Sequence, residues 1–489
     1  MPTPASRRRS AATDAMGVLL ALAVLYGAMS FLVYRVIHMR HVAPLGPDAL
    51  PGEFSEGRVL QHLRRLAVDI PGRQEGSPGL EAAAQYIKGQ LEGLAAHAGP
   101  QYRVEVEETL VSGSFSMMFL RHRVTLGYRN HKNIVMSSAT GCAWPATAEL
   151  GAGDGGGIWW RAGGAGKRTS ESAEISACAL SARQMRLRVW FPLPTRVYLG
   201  RGSVFALALK YFFSSSRRIR VERGGDLDQN RAPHRRELQG VAVLKRRGVQ
   251  SRISSNVSEE DEPSLLVNGH FDSPLGSPGA SDCGSCVASM LELSRLILES
   301  GWVPPRPVIF LFNGAEELFL LGSHGFIKTH KWNSTIGAFI NIEASGSGGA
   351  DLVCQSGPGS WPSRIYAQTA KYPMANSVAQ DMFGIIPGDT DYRIFAEDIA
   401  NIPGLDIIFV LGGYFYHTSY DTLENLLPGS IQARGENLFN LVKAFTNSSM
   451  LLKESERYNT TVNDRIVNPR AIFFDYMTWF MIFIHVMSL

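Results

Sequence analysis

The chain has 489 residues, of which 45% are hydrophobic and 19% charged, a composition that suits one large folded domain with appendages and excludes a disordered or collagen-like polymer. The formal charge of +4 comes from basic residues scattered along the chain, which excludes a nucleic-acid-binding stripe. Residues 16–33, MGVLLALAVLYGAMSFLV, are uncharged and apolar and continue to Ile37 through Tyr34 and Arg35, close to the ~20 residues a spanning helix needs. Arg7, Arg8 and Arg9 precede this run, while Arg35, His38, Arg40 and His41 follow it as interfacial anchors rather than as a cleavage region. An uncleaved signal anchor over 16–37 is expected, with residues 1–15 in the cytosol and the remainder in a lumen. Acceptor sequons at Asn256, Asn333, Asn447 and Asn459 agree with a lumenal address.

Two amphipathic helices around a Pro/Gly turn are expected next, followed by a half-buried strand in YRVEVEETL and another in RNHKNIVM, so that residues 54–136 form the first part of the main domain. From 137 to 251 periodicity fails and glycine and arginine cluster, which marks an irregular insertion outside the core. Within it, VFALALKYFF is too short to span a membrane and carries Lys210. Regular texture returns over 252–452. The apolar strands SLLVNGH, PVIFLFNG, IGAFINIEA, DLVCQSG and LDIIFVLGG alternate with helical stretches such as CVASMLELSRLILES and SIQARGENLFNLVKAF. That alternation predicts an α/β fold with a mixed, mostly parallel central sheet and helices on both faces, added to the N-terminal transmembrane helix. The terminal run AIFFDYMTWFMIFIHVMSL, residues 470–489 in round terms, reads as the start of a second membrane segment despite Asp475.

In such sheets ligands gather at the carboxyl ends of the strands. The strand ending at Asn268 exits into His270 and Asp272, with Asp282 twelve residues after His270; the strand ending at Phe312 exits into Glu316 and Glu317; IGAFINI exits into Glu343; and LDIIFV leads to His417. Singly, each has a plain structural explanation, such as a helix cap for Asp282. Jointly, two histidines and several carboxylates on one sheet edge are the ligand set of zinc rather than of calcium or magnesium. Five ligands exceed the roughly three protein ligands of one zinc, which points to two zincs about 3.5–4 Å apart sharing a carboxylate. Neighbouring Glu316 and Glu317 then divide the work: Glu317 coordinates, and Glu316 takes a proton from the attacking water.

The segments NGHFDSPLGSPGASDCGS, LFNGAEE, FINIEASG and YFYHTSYDT resemble, in order, the metal-site segments of the co-catalytic di-zinc aminopeptidase family. GRQEGSPGL, GSFSMMFL, LFNGAEELFLLGSHGF, PGDTDYRIF and IPGLD resemble that family's endoplasmic reticulum branch, over about residues 54–136 and 252–489. The resemblance implies His270, Asp282 and Glu343 as ligands of one zinc, and Asp282, Glu317 and His417 as ligands of the other, with Asp282 bridging. It implies Glu316 as general base, Asp272 as the partner of His270, and Asp389 of GDTDY as an acid near the site. It further implies a membrane-anchored lumenal metallopeptidase of the endoplasmic reticulum, acting on terminal bonds of peptides or proteins in the aminopeptidase manner. The alternative, from another class, is a non-catalytic receptor-like ectodomain on the same scaffold.

The sequence departs from the family pattern in two places. Cys283 and Cys286, two of the five cysteines, flank the bridging position, and a pair between them is open in an oxidising lumen. The 137–251 segment stands where family members have a short linker, so it reads as a retained non-coding stretch or a misjoined gene segment, with a genuine insertion as the alternative. Family members also continue past this chain's last residue into further membrane helices.

Overall fold

The computed structural model describes residues 4–119, 122–137, 250–255, 261–383, 385–386, 388–456 and 471–485. The body of the expected insertion, VFALALKYFF within it, and the sequons at Asn256 and Asn459 lie outside the described residues. The first helix, Pro4–Ile37, is longer than the expected anchor; its apolar part, Asp14–Ile37, is long and apolar enough to cross a membrane and is exposed except at Val36. Beyond it, Met39 and Val42 are buried against Ala350 and Ala433, so the exit of this helix is anchored to the domain.

Two helices follow, as the sequence pattern requires. Glu56–Arg64 starts on Ser55, whose hydroxyl accepts the Arg58 N–H, and Pro78–His97 starts on Ser77, whose hydroxyl accepts the Leu80 N–H. Proline at the first turn of the second needs no N–H partner there. The strands are β1 (Tyr102–Phe119), β2 (His122–Ser137), β3 (Gln250–Ser255), β4 (Ser264–His270), β5 (Val308–Asn313), β6 (Ile336–Ala344), β7 (Leu352–Gly357) and β8 (Gly404–Phe409). They form one sheet in the order β1-β2-β3-β5-β4-β6-β8-β7. The four inner strands β5, β4, β6 and β8 run parallel, while β1 with β2 and β7 with β8 are antiparallel pairs. The expected mixed sheet is therefore present, with parallel pairing concentrated at its centre. The long β1–β2 pair is joined directly, which only antiparallel strands permit.

The inner strands are buried on both faces, and their residues alternate between two cores. Leu265, Val267, Phe310, Phe312, Ile340 and Ile342 face the helices Pro78–His97, Cys286–Glu299 and Ser430–Asn447. Leu266, Ile309, Leu311 and Phe339 face the opposite way, against Phe326, Tyr392 and Phe395. Each fully buried side chain of this size contributes roughly 1.5–3 kcal/mol. By the same alternation, His270 and Glu343 continue the second face. Register places Asn268 opposite Asn341 and Glu343 opposite Ile408, so all inner strands end at one level.

The C-terminal run does not form a membrane helix. Ala471–Tyr476 (β9) and Phe480–His485 (β10) make an antiparallel hairpin. Asp475, the charge that fits poorly in a membrane segment, explains the outcome: its carboxylate accepts the Ala375 N–H at 3.2 Å and the Thr478 N–H of the turn at 3.2 Å. Met477 and Thr478 take the left-handed backbone such a turn needs. A short apolar run without helical length is ambiguous between the two forms, and here tertiary hydrogen bonds decide.

Candidate metal centre

The turn after β5 and the loop after β4 meet at the carboxyl edge. Gly314 is required where they touch: a Cβ there would lie 2.7 Å from Phe271 Cζ of the loop after β4 and 2.3 Å from the Lys132 carbonyl oxygen of β2. Asp272 then binds the turn, accepting the Glu316 N–H at 3.0 Å and the Glu317 N–H at 3.0 Å. Phe319 and Leu320, just beyond, are held in the left-handed region, as is His417 in the loop after β8. Three non-glycine residues in this conformation around one site show a backbone over-determined by its surroundings.

These loops bring the five expected ligands together. His270 Nε2 lies 3.2 Å from Asp282 Oδ1, 3.5 Å from Glu343 Oε2 and 3.9 Å from Glu316 Oε2. His417 Nε2 lies 3.0 Å from Asp282 Oδ2 and 3.5 Å from Glu317 Oε2. Asp282 thus presents one oxygen to each histidine. His270, Asp282 and Glu343 form one group of converging donor atoms, and Asp282, Glu317 and His417 a second. His270 Nδ1 bonds the Asp272 backbone carbonyl at 3.1 Å, with the carboxylate 3.3 Å away, which leaves Nε2 turned to the centre. Asp272 therefore serves His270 largely through its main chain, and its carboxylate mainly fixes the glutamate turn.

The electrostatics are those of several buried acids crowded against two imidazoles. Burial pushes the carboxyls of Glu316 and Glu317 well above the ordinary range, and Glu343 and Asp282 respectively push them further. Burial alone would lower the His270 imidazole, yet Glu343 and Glu316 raise it well above 6.5. Asp282, despite burial, is held at about 2 by hydrogen bonds from His270 and His417. Glu317 Oε1 and Glu343 Oε1 are buried with no hydrogen-bond partner. Orphaned carboxylate oxygens between two imidazoles fit zinc, whose donors are of this kind.

Cys283 and Cys286 form a disulfide beside the bridging acid, and the Asp282–Cys283 peptide is cis. Asp389 is not at the centre; it pairs with Arg393 at 2.5 Å. The acid of GDTDY that lies near the centre is Asp391, fully buried, accepting from Asn268 Nδ2 and Asn313 Nδ2 at 2.8 Å each. Tyr416 was also hidden among the aromatics of YFYH. Its ring, 39% exposed, stacks on His417 at 3.7 Å between centroids, and its phenol is raised by the desolvation of its inner side and by Asp282, Glu317, Glu316 and Glu343.

Residues 252–442 match peptidase family M28. Endoplasmic reticulum metallopeptidase 1 of Rattus norvegicus is 50% identical over 195 residues, 39% of this chain and 22% of that protein. A vacuolar membrane protease of Yarrowia lipolytica is 33% identical over 199 residues, 40% of this chain and 20% of that protein. The chain thus spans about a fifth of the length of these curated relatives. A solved zinc aminopeptidase from Bacillus subtilis superposes with a TM-score of 0.41 at 16% identity, over 80% of this chain and 94% of that one. Residues 252–442 are thus similar to peptidase family M28, and the curated relatives they resemble include endoplasmic reticulum metallopeptidase 1.

Proposed function

We propose that the chain is a membrane-anchored zinc metallopeptidase that hydrolyses terminal peptide bonds of peptides or proteins in the aminopeptidase manner. The observation that carries the reading is Asp282, whose two oxygens face His270 and His417 from one carboxylate. His270, Asp282 and Glu343 would hold one zinc, and Asp282, Glu317 and His417 the other. When bound, the zincs polarise the scissile carbonyl and make water acidic enough to ionise near neutrality.

The side chains supply the rest. Glu316 reaches the edge of the His270 group without belonging to the Asp282 bridge, and its raised carboxyl suits proton transfer near neutral pH. It takes the proton from the attacking water and hands it to the departing amine. Asp272 fixes that geometry through the Glu316 N–H. Tyr416 donates its O–H toward the carbonyl oxygen as charge develops there. The surplus of carboxylates favours a substrate's ammonium end, because Arg73, the guanidinium close to these acids, donates to four backbone carbonyls instead.

The test is hydrolysis of chromogenic amino-acid and peptide amides by the full chain in detergent. Release from free amino termini, abolished by a chelator, restored by zinc and absent from acetylated substrates, is expected. Equal release from acetylated substrates contradicts the aminopeptidase manner, and none from any substrate contradicts the enzyme.

The helix at Asp14–Ile37 supports a membrane anchor, the endoplasmic reticulum relatives support that membrane as the address, and the Arg7–Arg9 triplet ahead of the helix supports a lumenal catalytic domain. Asn447 is exposed at the end of its helix and available to a glycosyltransferase. A glycosidase-sensitive mobility shift that Asn447→Gln removes would establish the lumenal side, and an unglycosylated, protease-accessible domain would refute it.

A further inference from the structure

Two buried charged side chains beside the centre, Arg73 of GRQEGSPGL and Asp421 of YFYHTSYDT, hold no metal and move no proton in this reading. Arg73 is 1% exposed and Asp421 2% exposed. Buried charges are costly unless their hydrogen-bonding capacity is used, so their partners show what they do. Arg73 donates to the carbonyl oxygens of Phe271 at 2.8 Å, Pro278 at 2.9 Å and Gly279 at 2.8 Å, and reaches Leu66 at 2.8 Å. Asp421 does the converse. Its carboxylate accepts the N–H of Ser281 at 2.8 Å and of Asp282 at 3.1 Å, and its main-chain oxygen accepts the Ala280 N–H at 3.1 Å.

Between them they grip one loop, the stretch from Phe271 to Asp282 that separates His270 from the bridging acid. One takes its carbonyls and the other its N–H groups. Gly279 makes room for the first: it sits at a φ of +60°, and a Cβ there would lie 2.8 Å from Arg73 Nη2. Asp421 also belongs to the loop of His417. Its N–H bonds the Thr418 carbonyl at 3.2 Å, closing a short turn directly after the histidine. One residue therefore references both Asp282, by its carboxylate, and His417, by its own backbone, and the two side chains meet at 3.0 Å.

Resting on the two-zinc reading above, we propose that Arg73 and Asp421 are positioning residues that clamp the 271–282 loop, with Asp421 setting the distance between Asp282 and His417. The metal position formed by Asp282, Glu317 and His417 depends on this clamp more than the position formed by His270, Asp282 and Glu343. Outer partners of metal ligands act in this way, by fixing where a ligand atom stands.

The test uses the full chain in detergent, stripped of metal and titrated with zinc against a chromophoric chelator. Asp421→Asn keeps the side chain's size but turns an amide N–H toward a backbone N–H. The parent shows two binding steps, of which His417→Ala removes one. In Asp421→Asn that same step weakens about tenfold to a hundredfold while the other is kept, and excess zinc restores kcat with KM unchanged. Thr418→Val removes the hydroxyl that accepts the Tyr420 N–H at 3.1 Å and loosens the turn without touching Asp282, so the same step weakens by a smaller factor. A folded Asp421→Asn whose isotherm superimposes on the parent's overturns the clamp. Should that variant not fold, Thr418→Val decides, and an unchanged isotherm there overturns it equally. A folded parent that binds no zinc instead sinks the peptidase reading, and the clamp with it.

Discussion

The carboxyl edge of the sheet and the layer one pleat behind it use the same kinds of residue in opposite ways. At the edge, His270 and Glu343 face one another with carboxylate oxygens left unpaired. Two residues back on the same face, Asn268 Nδ2 donates to Asn341 Oδ1 at 2.7 Å and Asn341 Nδ2 donates to Asp406 Oδ1 at 2.9 Å. Thr390 closes the far end on Asp406 at 2.7 Å, and Asp391 joins Asn268 to Asn313. In the rear layer every amide Nδ2 has an acceptor, although Asn268 Oδ1 and Asp391 Oδ1 are left without a donor, whereas the edge gathers histidine and carboxylate atoms that converge on one another with few donors between them. What separates the layers is geometry: rear-layer side chains are tied by amide donors, while edge side chains turn several donor atoms of metal-ligand type toward common points.

The comparison breaks hardest at Glu316. Replacing it by Gln removes a proton carrier and leaves both ligand groups intact, so kcat falls on the order of 10³-fold while bound zinc is unchanged, as metal analysis beside steady-state kinetics will show. Loss of zinc together with activity would make Glu316 a ligand instead. Tyr416→Phe comes next: losing one donor to the developing oxyanion lowers kcat about 10²-fold with little change in KM. A change confined to KM would move Tyr416 into substrate binding.

Behind the edge, the expected loss is in stability. Asn268→Ala leaves Asn341 and Asp391 each short of a donor within the buried layer and lowers unfolding free energy by about 2 kcal/mol, readable in a denaturant melt. Its zinc content stays at the parent's value if the two layers are separate, and falls if they are not.

The smallest effect is that of pH on the zinc-free chain. Burial raises Glu316 and Glu317 well above their usual range and Asp406 to about 7, and neighbouring acids raise His270. The folded state therefore binds more protons than the unfolded state between pH 6.5 and 8, so stability rises as pH falls across that window. Toward and below pH 6.5 the trend weakens, because His324 and His330, lowered by burial to about 4 and about 3, and His62 and His131, lowered in the same direction, favour the unfolded state as its imidazoles protonate there. Zinc, by neutralising the edge, stabilises most at pH 8. Thermal melts at pH 6.5 and 8, with and without zinc, test the sign; a zinc-free chain more stable at pH 8 would contradict it.

Much of the edge was legible because strand exits can be read from apolar runs, and chemistry in α/β sheets collects there. His270, Glu316, Glu317, Glu343 and His417 all follow such runs. What stayed hidden was side-chain direction within polar or aromatic clusters. Asp389 and Asp391 are two residues apart in GDTDY, and only packing turns one to Arg393 and the other to the rear layer. Tyr414 and Tyr416 are equally indistinct in sequence, yet Tyr414 is 86% exposed while Tyr416, 39% exposed, stacks on His417 beside the acids. The strands at 471–485, where a membrane segment is expected, were hidden for a related reason, since hydropathy carries no record of the hydrogen bonds that Asp475 makes.

The most direct measurement is the zinc content of the purified full chain after dialysis, beside that of Asp282→Ala. With Asp282 as the shared ligand, the parent holds about two zincs and the variant loses both positions together, falling well below one. A folded parent with little zinc, or a variant that still holds the parent's amount, would contradict the bridged centre.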